Sequence, residues 1–158
     1  MYIYKNFNLK FRKMAIFVYN RKLESHGGEN NYKIFRPYLL GNPYTHLKNQ
    51  ETKAMYIVDT RDEAITKYEE YFDLMYRINK PFRELVDEMY EKFKNGEDLY
   101  LECYCKKYLS NDVTPHDDEI SCHGDIIKKK LEQRLLKERI NNIRNRNNNV
   151  LNGDDYTT

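Results

Sequence analysis

Apolar and polar positions follow two periods along this chain, and the period assigns most of the elements. Residues 14–20, MAIFVYN, are apolar, aromatic and β-branched between polar neighbours, which predicts a buried strand. YKIF (32–35) predicts a shorter one, and LYLECYC (99–105) a third with period two. From Thr60 the period lengthens. Ala64, Ile65, Tyr68, Phe72, Met75 and Tyr76 recur at helical spacing behind a T-R-D-E capping box, in which the Thr60 hydroxyl and Glu63 take up free amides. Pro81 suits the first turn of a second helix that carries Phe82, Leu85, Val86, Met89, Tyr90 and Phe93, and Gly96 suits its end. Ile127, Leu131, Leu135, Glu138 and Ile143 share one face of a last helix, predicted over about 125–146.

Breakers separate these runs. RKLESHGGENN (21–31) reads as a turn, and RPYLLGNPYTHLKN (36–49), with two prolines and a Gly-Asn, as an ordered loop. TKAMYIVDT (52–60) reads as a strand or extended lead-in, and 106–121 as a polar excursion. The order β, β, loop, α, α, β, α predicts a small single α/β domain, with a central sheet of about four strands flanked by about three helices. Residues 1–13 stand as an N-terminal extension or edge strand, 14–146 as the domain and 147–158 as a disordered Asn-rich tail.

Composition narrows the setting. Charged residues make up 33% of the 158 and hydrophobic ones 40%, and no run approaches the ~20 apolar residues of a bilayer span. The first residues lack the apolar core of a signal peptide, and three cysteines suit reduced thiols. Both predict a cytoplasmic protein with no membrane partner. Abundant Asn, Lys, Tyr and Ile without Trp predict a low-GC bacterial or phage genome, so a host cytoplasm or a virion. The net charge of +2 is unevenly spread: residues 127–148 hold eight Lys or Arg against two Glu. That stretch is a solvated helix face or a contact for nucleic acid or an acidic protein.

Candidate chemistry lies in three places. Cys103 and Cys105 share one face of a strand, and Cys122 with His123 follows the excursion. Together they form a Cys3His set that could hold zinc, although the spacing is not that of a standard zinc module. Buried cysteines packing as small hydrophobes are the ordinary alternative. Cys122-His123-Gly124-Asp125 opens the last helix, where free amides and a positive dipole end suit an anion. There Gly124 would admit a ligand to the backbone, while His123 and Asp125 are acid–base candidates. Asp125 could equally cap the helix. Finally, Arg36 precedes Leu40-Gly41-Asn42-Pro43. Arginine clamps phosphates, Gly41 gives the loop room, and the Asn42 amide could orient a ligand. Turn chemistry beside a surface arginine is the plainer account of that loop.

Taken together, Arg36, Leu40 to Tyr44, Arg61, Glu63 to Ile65, Tyr68, Leu101, Cys103, Cys105 and Cys122 to Asp125 resemble a small bacterial and phage family, domain of unknown function 4326. The resemblance spans about residues 14–135. It departs in one place: sixteen residues separate Cys105 from Cys122, where the family usually has a very short link. The family carries no settled activity. The resemblance implies that the LGNP loop and the CHGD helix start belong to one design. LGNP follows YKIF and CHGD follows LYLECYC through the excursion, so the two flank one pocket if those strands are parallel.

Three functions follow as expectations. The first is a binding protein, and on one variant an enzyme, for a nucleotide or nucleoside-phosphate-like ligand held by Arg36, Gly41, Asn42 and Gly124. The second is a phage virion-associated or interaction protein whose basic helix contacts nucleic acid or protein. The third is a small zinc-stabilised module.

Overall fold

The computed structural model describes residues 14–48, 51–107, 109–110 and 120–151. The 1–13 extension, most of the 106–121 excursion and the tail from 152 lie outside the described residues. The strands are β1 (Ile16–Asn20), β2 (Asn31–Lys33), β3 (Tyr44–Thr45), β4 (Tyr56–Ile57) and β5 (Leu99–Cys103). The helices are α1 (Arg61–Ile78), α2 (Lys80–Lys94) and α3 (His123–Leu151).

The small α/β domain expected from the pattern is what the chain forms, with three helices and five strands, divided between two sheets, among the described residues. The main sheet runs β1-β5-β2, all parallel. β5 slots between two strands that precede it, so the chain covers β5 on both edges. β3 pairs with β4 in a separate two-stranded parallel ladder. The LGNP segment therefore ends in a strand that its turn-rich sequence does not announce, because two residues are too few for any periodicity to register.

Register explains which face is core. Val18, Leu101 and Tyr32 lie side by side, as do Ile16 and Leu99. All five are buried in the same apolar cluster as Phe72, Phe82, Val86, Met89 and Ile127 from the helices. The opposite face is aromatic and polar. Phe17 stacks on Tyr100, His26 of the 21–30 turn stacks on Tyr100, and the Tyr19 hydroxyl donates to Asn31 Oδ1 at 2.9 Å. A half-polar face of this kind is why β5 shows a buried pattern without strict alternation.

The helix ends follow from their caps. The Thr60 hydroxyl accepts from the Glu63 amide at 3.1 Å, as the capping box predicts, and the Glu63 carboxylate reaches back to the Asp59 amide. Asn79 alone divides α1 from α2. Its own amide still donates to Met75 O, while its side chain accepts from the Phe82 amide at 3.0 Å. Gly96 ends α2 at φ +92°, a conformation that favours glycine. α3 is longer than the predicted 125–146 at both ends, and residues 147–151, assigned by sequence to a disordered tail, continue it. Among the described residues no helix is long and apolar enough to cross a membrane.

Candidate functional site

Parallel strands send their carboxyl ends to one side of a sheet, and both candidate segments leave from there. β2 leads into Arg36 and the LGNP loop. β5 leads, past Tyr104 and Cys105, to Cys122 and α3. The two segments meet, and a pocket of about 480 Å³ is walled by Arg36, Asn42, Arg61, Cys105, Cys122 and His123, with aromatic rings from Phe35, Tyr44 and Tyr104. Gly41, Gly124, Asp125 and Cys103 are not among its walls.

Helix α1 clasps the two segments together. Arg61 donates to the carbonyls of Cys105 at 3.0 Å and Ser121 at 2.6 Å. The Ala64 carbonyl accepts from the Asn42 amide at 3.0 Å, and the Tyr68 hydroxyl donates to Leu40 O at 2.7 Å. These three residues lie at i, i+3 and i+7, on one helix face. The R-x-E-A-I-x-x-Y string is thus a clasp written at helical spacing. Arg61 is the pocket residue that reading by motif left without a role. Its spacing to Ala64 and Tyr68 was the available signal.

Each predicted site residue has a definite place. Arg36 donates through one Nη to the carbonyls of Asn42 at 2.9 Å and Tyr44 at 3.1 Å, fixing the loop that follows its own cis peptide bond to Pro37. Burial holds its guanidinium below the ordinary value, and the facing Cys105 sulfur offsets only part of that. Asn42 spends its side chain on the main chain, since Oδ1 accepts from the Tyr44 amide and Nδ2 donates to Ala64 O. At Gly41 a Cβ would fall 2.9 Å from Arg36 N and Tyr38 O, so glycine there permits the tight loop. At Gly124 a Cβ would fall 2.5 Å from Val18 Cγ1 and 2.8 Å from Ile34 Cδ1, so this glycine seats α3 on the sheet.

Asp125 acts as a cap. One carboxylate oxygen accepts from the Ser121 amide at 3.0 Å, and the other pairs with Lys106 Nζ at 2.8 Å. Cys122, the residue before the helix, caps it too: its Sγ accepts from the Gly124 amide at 3.4 Å. His123 is 3% exposed, and its Nε2 lies 2.6 Å from Ile34 O. A carbonyl only accepts, so Nε2 carries the proton and Nδ1 presents a lone pair. Burial holds the imidazole below its ordinary value, outweighing the Ile34 hydrogen bond.

The sulfurs of Cys105 and Cys122 face that lone pair. β5 ends at Cys103, and the bend at Tyr104 keeps Cys105 close enough that the Sγ atoms of Cys103, Cys105 and Cys122 all lie within 4.8 Å of one another. Cys103 and Cys122 are buried and Cys105 is exposed. His123 Nδ1 stands 3.7 Å from the sulfurs of both Cys105 and Cys122. Hydrogen bonds from the Cys103 and Cys122 thiols, with Arg61 and Arg36 adding positive charge, draw Cys105 down to about 3 and outweigh the desolvation of its sulfur, although the residue as a whole is exposed. Donating those bonds raises Cys103 and Cys122. The long excursion does not separate the motif halves in space.

No curated protein and no solved structure matches the chain. The family model described as Domain of unknown function (DUF4326) matches residues 19–133, which takes in both walls of the pocket, the α1 clasp and the thiol group, and the chain belongs to that family.

Proposed function

We propose that the protein binds a phosphate-bearing, nucleotide-like small molecule in the pocket between the LGNP loop and the first turn of α3. One observation carries this reading. Two guanidiniums, Arg36 and Arg61, share the pocket, their hydrogen bonds going to main-chain carbonyls, and among the described residues neither pairs with a carboxylate. Carbonyl bonds fix an arginine without neutralising it, and two guanidiniums against the single Cys105 thiolate leave net positive charge for an anion. Lys53 adds to that charge and Glu51 offsets part of it. The volume lies inside the range of about 300–1,000 Å³ usual for small-molecule sites, and the Phe35, Tyr44 and Tyr104 rings offer stacking surfaces for a base.

In this reading Arg36 and Arg61 hold the phosphate. Gly41, Asn42, Gly124 and Asp125 shape the loop and the helix start. His123, with one nitrogen spent on Ile34 O and the other turned to the thiols, holds the wall and supplies no proton. The test is thermal unfolding of the full chain with a panel of mono-, di- and triphosphates of nucleosides and with pyrophosphate. A ligand at a hundred times its Kd stabilises by about 2.7 kcal/mol. That shift should shrink in Lys53→Glu and Tyr104→Ala, two substitutions at the rim. A panel that leaves the unfolding temperature unmoved would sink the reading.

A second reading, contact with nucleic acid or an acidic protein through α3, is favoured by the far half of that helix. Residues 139–148 are exposed throughout and carry Arg139, Arg144 and Arg146 without an acid. DNA binding that weakens steeply with salt and is lost on charge reversal of these arginines would support it.

A further inference from the structure

We propose that Cys103, Cys105, Cys122 and His123 form a closed tetrahedral zinc centre, a structural ion at the wall of the pocket rather than a catalytic one. The inference stands on the donors alone and does not depend on what the pocket binds.

Distances come first. Four ligands around zinc, with Zn–S near 2.3 Å, place sulfurs about 3.8 Å apart and an imidazole nitrogen about 3.6 Å from each sulfur. Here Cys103 and Cys122 are 3.6 Å apart, all three sulfurs fall within 4.8 Å of one another, and His123 Nδ1 is 3.7 Å from two of them. Three of the six edges are therefore within about 0.2 Å of the required lengths before any ion enters, and closing the shell requires His123 Nδ1 and Cys103 Sγ to draw together around the ion.

Donor chemistry comes second. A metal needs the unprotonated imidazole nitrogen, and the Ile34 carbonyl fixes the proton on Nε2, leaving Nδ1 free to coordinate. The same bond orients the ring, and Tyr68 packs edge-on against it at 5.0 Å. Sulfur ligands in such sites receive backbone N–H bonds, and Cys122 Sγ already accepts from the Gly124 amide. Three thiolates and a neutral imidazole around a divalent ion leave one net negative charge. Arg36 and Arg61 line the same wall and offset it. Soft sulfur with imidazole at tetrahedral spacing selects zinc over calcium or magnesium, which need oxygen.

Position supplies the consequence. Cys103 ends β5, Cys105 follows it after one residue, and Cys122 and His123 begin α3. One ion would staple the strand to the helix across the sixteen-residue excursion. With four protein donors the coordination shell is complete, so no site remains for an activated water, and any chemistry in the pocket proceeds without the metal as Lewis acid.

The test uses the full chain, purified reduced, freed of any affinity tag and stripped with a chelator, then loaded with zinc or cobalt(II) alone. Elemental analysis should find one zinc per chain. Cobalt loading should give sulfur-to-cobalt charge transfer together with the intense visible bands of a tetrahedral thiolate site. Cys105→Ser removes the exposed donor and leaves the buried two in place, so circular dichroism should stay native while metal affinity falls at least tenfold. Cys122→Ser should abolish the tetrahedral cobalt spectrum. A folded chain with three titratable thiols that takes up neither ion overturns the proposal. So does a Cys105→Ser variant that binds cobalt with an unchanged spectrum and affinity.

Discussion

The two halves of α3 are one continuous helix with opposite fates. From Cys122 to Leu135 the apolar residues are sealed: Ile126, Ile127 and Leu131 are each about 1% exposed or less. Beyond Leu135 the same residue types face water, with Leu136 at 59% and Ile143 at 58%. The near half crosses the sheet, and Gly124 lets it approach β1. The far half passes the edge of the domain after Glu138, which pairs with Lys94 of α2 at 2.6 Å. Side-chain type does not explain the difference, since Leu136 and Ile143 are of the same kinds as Leu131 and Ile127. Tertiary contact is what separates core from surface, as helix stability in proteins derives mainly from packing.

Substitutions sharpen that contrast, beginning with the largest effect. Ile127→Ala should cost about 2–5 kcal/mol by leaving a cavity, whereas Ile143→Ala should stay within about 0.5 kcal/mol. Urea unfolding of the two variants checks both, and equal losses would mean that the far half is packed. Gly124→Ala drives a methyl into Val18 and Ile34 and should cost about 1–3 kcal/mol. Tyr68→Phe deprives the buried Leu40 carbonyl of its donor and should cost about 1–3 kcal/mol. Its loss should appear as faster amide exchange in residues 38–45, which the α1 clasp holds.

The smallest effect concerns how α3 is tied to its neighbours by charge. Partial burial alone would raise the Asp87 carboxyl, but bonds from Tyr76 and Arg134 and the Arg134 charge outweigh it and lower it. A depressed carboxylate contributes stability above its unfolded pKa of about 4 and loses it as pH falls through the lower folded value. The pair is well exposed, so the contribution should stay below about 1 kcal/mol. Asp87→Asn should therefore unfold more easily than wild type at neutral pH, with the gap closing as pH falls below about 4. A gap that widens in acid would assign Asp87 the opposite role.

Much of the fold was legible. Strands at 14–20, 32–35 and 99–105 and helices from Thr60, near Pro81 and near Asp125 all appear, shifted by a few residues. Periodicity and capping chemistry are local, and Thr60, Pro81 and Gly96 each act on their own turn. β4 falls inside the 52–60 segment read as a strand or extended lead-in; less legible were β3, two residues long, and the extension of α3 through an Asn-rich stretch of poor helix formers.

The candidate site divides the same way. For Cys103, Cys105, Cys122 and His123 the sequence offered only donor types, since nineteen positions separate the first cysteine from the last. The residue types, the LGNP turn and the capped start of α3 could be named from the order of amino acids, because each depends on neighbours within a few positions. Which of them face a cavity could not. That Asn42 turns its amide to Ala64 and that Arg61 joins the pocket depend on how α1 packs against the two segments; that Gly124 makes room for Val18 rather than for a ligand, and that His123 points one nitrogen at Ile34 O and the other at the sulfurs of Cys105 and Cys122, depend on β5 lying between β1 and β2. That arrangement brings residues 69 to 89 positions apart into contact, and hydrogen bonds at such separation are set by strand order, which no local pattern encodes.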